Sequence, residues 1–227
     1  MKKAAFTMLE LVIVIVILGI LASLALPRME RDLRQEAADN ILSSVRYTQH
    51  MALSDNVTNP SNSQWQKSFW RFGIQGCSDN GVFYYIGADK DTEGNIDDGE
   101  EAIEPSSGLR INGLNTKPCE GDLAEQTEAS PDIFITRKYG ISEGNVVFSG
   151  CNTSTGKYIG FDNLGRPHRG FVQNAAGSGG ATSPDYSSLC KTDTVITLKF
   201  DDTNIPDISI TIEKETGYSY ISTQENS

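Results

Sequence analysis

Residues 89–100, DKDTEGNIDDGE, place oxygen-bearing residues at the spacing of a twelve-position calcium loop. Asp89, Asp91 and Glu93 fall at positions one, three and five, Asp97 at nine and Glu100 at twelve, the place of the bidentate carboxylate. Asn95 falls at seven, where the backbone carbonyl is the ligand, and Gly94 at six, where the chain must turn sharply. Ile96 takes the eighth position, usually apolar. A hard cation such as Ca²⁺ wants about seven oxygens, and this spacing wraps them round one point. Glu93 departs from the Asp or Asn usual at position five. VFYYIG (82–87) before the loop reads as a strand, not a helix. The expectation is therefore a structural Ca²⁺ loop on a β domain; the alternative is an acidic, solvated turn.

Other candidate chemistry is sparse. Gly165-Arg166-Pro167-His168-Arg169 is the one concentrated basic spot beyond the first residues, and Arg166 and Arg169 could hold a few phosphates. A net charge of −11 favours the other reading, a turn whose arginines form ion pairs, and argues against a general nucleic-acid binder. No G-x-S-x-G, P-loop or H-E-x-x-H occurs, and neither His50 nor His168 adjoins an obvious nucleophile, so no enzymatic activity is expected. Trp65, Phe69, Trp70 and Phe72 read as core. Cys77, Cys119, Cys151 and Cys190 lack zinc spacing and read as two disulfides of an extracytoplasmic protein. Three connectivities are open; Cys77–Cys119 with Cys151–Cys190 is favoured because each bond closes a loop-rich segment.

The remaining chemical oddity is Glu10, the one charge inside an apolar run from Phe6 to Leu26. As a helix the run is 21 residues, about 31 Å, the thickness of a bilayer's hydrocarbon core. A carboxylate there costs roughly 2.5–3.5 kcal/mol at the bilayer centre and less toward the interface. A plain anchor has no use for it. A secretory signal would have a shorter apolar core, although Ala22-Ser23 and Ala25 imitate its cleavage site. Lys2 and Lys3 before the run place the N-terminus in the cytoplasm and the rest outside.

AFTMLELVIVIVILGILASLALP, residues 5–27, resembles the class III signal of type IV prepilins and type II secretion pseudopilins. The resemblance implies cleavage by a prepilin peptidase between Ala5 and Phe6, with methylation of the new amine. Gly is usual where Ala5 stands. Glu10 is then the fifth residue after the cut and Pro27 the twenty-second, as in that family. It also implies a role for Glu10: in a filament its carboxylate pairs with the Phe6 amine of a neighbouring subunit, offsetting the desolvation of both charges. The arrangement further resembles GspH/FimT-type minor pilins and pseudopilins, in Arg34-Gln35-Glu36-Ala37-Ala38 on the helix, in IGFDNLGRP (159–167) and in Thr216-Gly217 near the end. Some FimT-like minor pilins contact DNA through a basic Gly-Arg motif.

The elements that must carry these residues follow from periodicity. From Arg28 to Asn56 there is no Gly or Pro, and Met29, Leu33, Ala37, Ile41, Val45 and Ala52 form a stripe down one helix face. Asp55-Asn56 and the turn cluster 58–62 mark its end. Beyond Pro60 the pattern changes to short β-branched and aromatic runs: 69–75, 82–87, 132–138, 145–149, 157–162, 194–200, 207–213 and 217–223, the last two joined by a hairpin. Residues 98–131 are acidic and turn-rich, and 174–184 read as a flexible Gly/Ser loop. The predicted fold is α+β, a long N-terminal helix packed on a C-terminal antiparallel sheet, pilin-like.

The predicted organisation is a leader at 1–5, a transmembrane and polymerisation helix at 6–26, an amphipathic helix at 27–57 and a β-rich extracytoplasmic domain at 58–227. The function expected is that of a type IV pilin-like assembly subunit, a minor pilin or pseudopilin of a pilus or type II secretion filament, anchored by a single pass in the inner membrane. Its partners would be other pilin or pseudopilin subunits, the prepilin peptidase and the membrane. The alternatives are a membrane-anchored, calcium-stabilised adhesion module and a DNA-uptake minor pilin.

Overall fold

The computed structural model describes residues 8–62, 64–77, 81–114, 119, 128–151, 156–172 and 186–222, and over 22–31 the backbone alone. Helix α1 (Met8–Ser54) is 47 residues long and runs unbroken through Pro27. It stops where the chain changes chemistry. Asp55 accepts from the Trp70 indole at 3.0 Å, and the Asn56 side chain folds back on the N–H of Thr58 at 3.1 Å, a local bond that competes with helix.

Two four-stranded antiparallel sheets follow. The first orders β2 (Val82–Gly87), β1 (Trp70–Gly76), β4 (Tyr158–Phe161) and β5 (Pro167–His168). The second orders β3 (Val146–Gly150), β6 (Thr194–Leu198), β7 (Ile208–Ile212) and β8 (Ser219–Ile221). The sequence predicts one sheet. The chain makes two because β3 pairs with the late strand β6 rather than with β4.

The C-terminal half of α1 packs on β1, β2 and β4 of one sheet and on β7 and β8 of the other. Ala37, Ala38, Ile41, Leu42, Val45 and Ala52 are buried in that contact. Of the predicted stripe, Leu33 is half-buried against the same core, and the side chain of Met29 lies outside the described residues. Polar side chains lock the apolar contact in register. Arg34 donates from Nε and Nη2 to the carbonyls of Pro206 and Asp207, both at 3.1 Å, and Arg46 donates to Ser219 O at 2.7 Å. The two Nε2 hydrogens of Gln49 reach one turn from each sheet, Gly165 O at 2.9 Å and Thr216 O at 2.8 Å. Gly217, beside that second turn, has φ +68°, and a Cβ there would lie 2.2 Å from Gly165 O.

One predicted strand is wrong. Residues 132–138 form the end of a 3₁₀ turn (Pro131–Ile133) and most of a short helix, α2 (Ile135–Tyr139). The Ser130 side chain caps the turn, Pro131 opens it, and Gly140 closes α2 in the left-handed region at φ +67°. Ile133, Phe134, Ile135 and Tyr139 are all buried, so the apolar run that looked like a strand is a core-facing helical turn. Both disulfides, Cys77–Cys119 and Cys151–Cys190, are present, closing segments with sequence separations of 42 and 39. Trp65, Phe69, Trp70 and Phe72 are buried. The segment read as a flexible loop, 174–184, lies outside the described residues.

Candidate functional site

Three places could carry function: the start of α1, the acidic loop after β2 and the basic turn after β4. At the first, Ala5 and Phe6 lie outside the described residues, and Glu10 sits in the first turn of α1. From Met8 to Leu21 every large apolar side chain is exposed, from 45% at Val14 to 88% at Met8. An apolar surface of this kind marks contact with lipid or with another chain. Among the described residues no helix is long and apolar enough to cross a membrane.

At the second place, the loop neck is held by backbone. Gly87 and Glu101 form an antiparallel bridge, and Ala88 N–H donates to Glu100 O at 3.0 Å. Ile96 is buried against Gly87, which pins the middle of the loop to the strand. Asp89 is wholly buried and Glu100 nearly so. Asp89 Oδ2 accepts from Gly94 N–H at 2.8 Å and faces Arg71 Nη1 at 4.0 Å. Glu100 spans the loop: Oε1 accepts from the N–H of Lys90 at 2.6 Å and of Asp91 at 3.2 Å, and Oε2 from Asp97 N–H at 3.1 Å. One carboxylate oxygen each of Asp89, Asp91 and Glu100 lie within 4.8 Å of one another, and so do those of Asp91, Glu93 and Asp97. Asn95 turns its side-chain amide to Asp97 Oδ1 at 2.8 Å. Burial pushes the Asp89 carboxyl above the ordinary carboxylate range; Arg71 and Gly94 oppose the rise, and Asp91 and Glu100 add to it.

The third place is a turn built around one carboxylate. Asp162, 1% exposed, accepts at Oδ1 from the N–H groups of Leu164 and Arg166 at 3.0 and 2.9 Å. Its Oδ2 receives Arg166 Nε at 2.8 Å and Nη2 at 2.7 Å, and faces His168 Nε2 at 3.3 Å. Burial raises the Asp162 carboxyl, but the bonds from His168 and Arg166 outweigh it and hold the group down at about 2. Arg169 is 2% exposed; it donates to Gly156 O at 2.9 Å and lies over the Phe148 ring, 5.7 Å from its centroid. Arg169 is therefore buried within the fold, and Arg166 is ion-paired with Asp162 while its side chain stays a third exposed.

Sequence reasoning missed Asp162 as the organiser of its turn, Gln49 as the link between sheets, and Arg71 beneath the acidic loop. The signal for Asp162 was available: an Asp before Asn-Leu-Gly is a standard side-chain-to-backbone turn former.

Residues 1–26 match the family described as "Prokaryotic N-terminal methylation motif". No curated protein and no solved structure matches the chain. The match supports the type IV pilin and pseudopilin superfamily, whose members are structural rather than enzymatic. The motif implies processing by a prepilin peptidase and assembly into filaments.

Proposed function

We propose that this chain is a minor pilin or pseudopilin of a type IV pilus or type II secretion filament, cut before Phe6 and assembled through the first half of α1. The observation that carries the reading is the division of labour along one helix. Its start bears the methylation motif and exposes every large apolar side chain from Met8 to Leu21. Its end is buried across two sheets. A folded domain that uses only half of a 47-residue helix leaves the other half for lipid before assembly and for neighbouring helices after it.

In this reading residues 1–5 are the leader, 6–26 the single inner-membrane span and polymerisation helix, 27–57 the continuing amphipathic helix, and 58–227 the domain outside the membrane. Glu10 sets the register. In lipid its carboxylate costs a few kcal/mol unless a cation meets it, and in this reading that cation is the Phe6 amine of an adjacent subunit. The IGFDNLGRP turn and the Arg34-containing helix point within the superfamily to the GspH/FimT-type group. Their structural work is consistent with shared architecture: Asp162 builds the turn, and Arg34 ties the helix to the approach of β7.

Glu10→Ala tests the assembly role. The variant is expected to insert in the membrane and lose its leader normally, yet to be absent from sheared filaments or from crosslinked subunit ladders. Normal incorporation would remove Glu10 from the assembly mechanism.

A further inference from the structure

We propose that residues 89–100 bind one Ca²⁺ through the carboxylates of Asp89, Asp91, Glu93, Asp97 and Glu100, with the twelve-position frame assigning the Asn95 carbonyl as a further ligand. The inference is independent of filament assembly.

Acidic loops are common, so three features of this one matter. The first is a buried oxygen without a partner. Asp89 is wholly buried and its Oδ2 is occupied by Gly94 N–H, but Oδ1 has no hydrogen-bond partner among the described residues. Buried carboxylate oxygens are rarely left so, because the desolvation is then uncompensated. The second is convergence. Asp89, Asp91 and Glu100 offer oxygens within 4.8 Å of one another, and so do Asp91, Glu93 and Asp97, so Asp91 belongs to both groups. Oxygens each 2.3–2.6 Å from a common Ca²⁺ can be no more than about 5 Å apart.

The third feature separates the loop's acids into two sets. Asp98 and Glu101 stand off the ligand frame, and both are paired with Arg110. Asp91, Glu93, Asp97 and Glu100 stand on the frame and have no salt bridge among the described residues. Asp89 has only Arg71, at 4.0 Å and on the side of the oxygen already bonded to Gly94. Lys90, within the loop, turns its amine to Gly99 O at 3.4 Å. The protein thus neutralises the acids that the frame does not use and leaves Asp91, Glu93, Asp97 and Glu100 without a salt bridge among the described residues. The backbone N–H groups that orient Glu100 hold it across the loop, where a bidentate ligand has to be. A cation at this point would fasten Asp89, two residues past β2, to Glu100, beside the Gly87–Glu101 bridge, closing the loop.

The test uses the full chain in detergent, stripped with a chelator, and titrated calorimetrically and by thermal unfolding with Ca²⁺ and separately with Mg²⁺. Sites in extracellular modules bind with Kd of roughly 10⁻⁴–10⁻³ M, so 10 mM Ca²⁺ is expected to raise Tm by about 3–10 °C with one-to-one heat. Mg²⁺, which demands a smaller octahedral shell, is expected to give less than half that rise. Asp89→Asn and Glu100→Gln should abolish the Ca²⁺ response, while Asp98→Asn, off the frame, should keep it. Absence of heat and of any Tm shift with Ca²⁺ in the unmodified chain would overturn the proposal, as would an equal response to Mg²⁺ or an undiminished response in Glu100→Gln.

Discussion

Replacing Asp162 by Asn removes one charge and nearly no volume, which makes it a clean probe of what holds the turn after β4. The amide oxygen of Asn can still serve Leu164 and Arg166 N–H. Its NH₂ must then face the Arg166 guanidinium, so the two bonds at 2.8 and 2.7 Å are lost. Charge-assisted bonds of this kind contribute about 1.5–3 kcal/mol. Linkage gives a second route to the magnitude. A carboxyl lowered from 3.8 to about 2 in the folded state corresponds to about 2.5 kcal/mol for a group that is 1% exposed. The two routes agree on a loss of about 2–3 kcal/mol at pH 7. The sign with pH follows from the folded value lying below the unfolded one. The stabilisation is complete above about pH 5 and is lost as the pH falls toward 2. Urea unfolding of the detergent-solubilised chain and of Asp162→Asn, at pH 7 and pH 2, measures both numbers. The gap is expected to shrink to under about 1 kcal/mol at pH 2. A gap below about 0.5 kcal/mol at pH 7, or one that does not change with pH, would show that the Asp162 carboxylate does not hold the turn.

Gly217→Ala and Gly140→Ala make a second, comparative test, since both need a positive φ but only Gly217 is crowded by Gly165 O and Gln49 Nε2. Gly140→Ala should cost about 1–2 kcal/mol of backbone strain, and Gly217→Ala clearly more, because Gln49 must also let go. Equal losses in denaturant unfolding would show that Gln49 does not join the two sheets. Removing the Cys151–Cys190 bond as Cys151→Ser with Cys190→Ser should cost about 2–4 kcal/mol by freeing a loop of separation 39 in the unfolded chain, read from the shift in denaturant midpoint.

Local chemistry that repeats along the chain was legible; chemistry that depends on distant neighbours was not. The stripe from Ala37 to Ala52 announced a packed helix because its spacing alone defines a face. Strands such as Val82–Gly87 and Ile208–Ile212 announced themselves through β-branched and aromatic runs between turn residues. Residues 132–138 misled because Ile133, Phe134 and Ile135 are adjacent, a pattern common to buried strands and buried helical turns; Pro131 and Gly140, which bracket the segment, were the better guide. The split into two sheets, Gln49 reaching Gly165 and Thr216, and Arg71 meeting Asp89 all join residues far apart in sequence, so nothing local marks them. The acidic loop was legible as spacing. Which acids are already paired with Arg110 became visible only once 98–110 were folded beside one another.

In the proposed function the apolar start of α1 is an assembly device released by cleavage before Phe6. Mass spectrometry of the mature N-terminus, on protein recovered from its native membrane, tests this most directly. The expected result is a chain beginning at a methylated Phe6. A chain retaining Met1, or one beginning after Ala25, would contradict it.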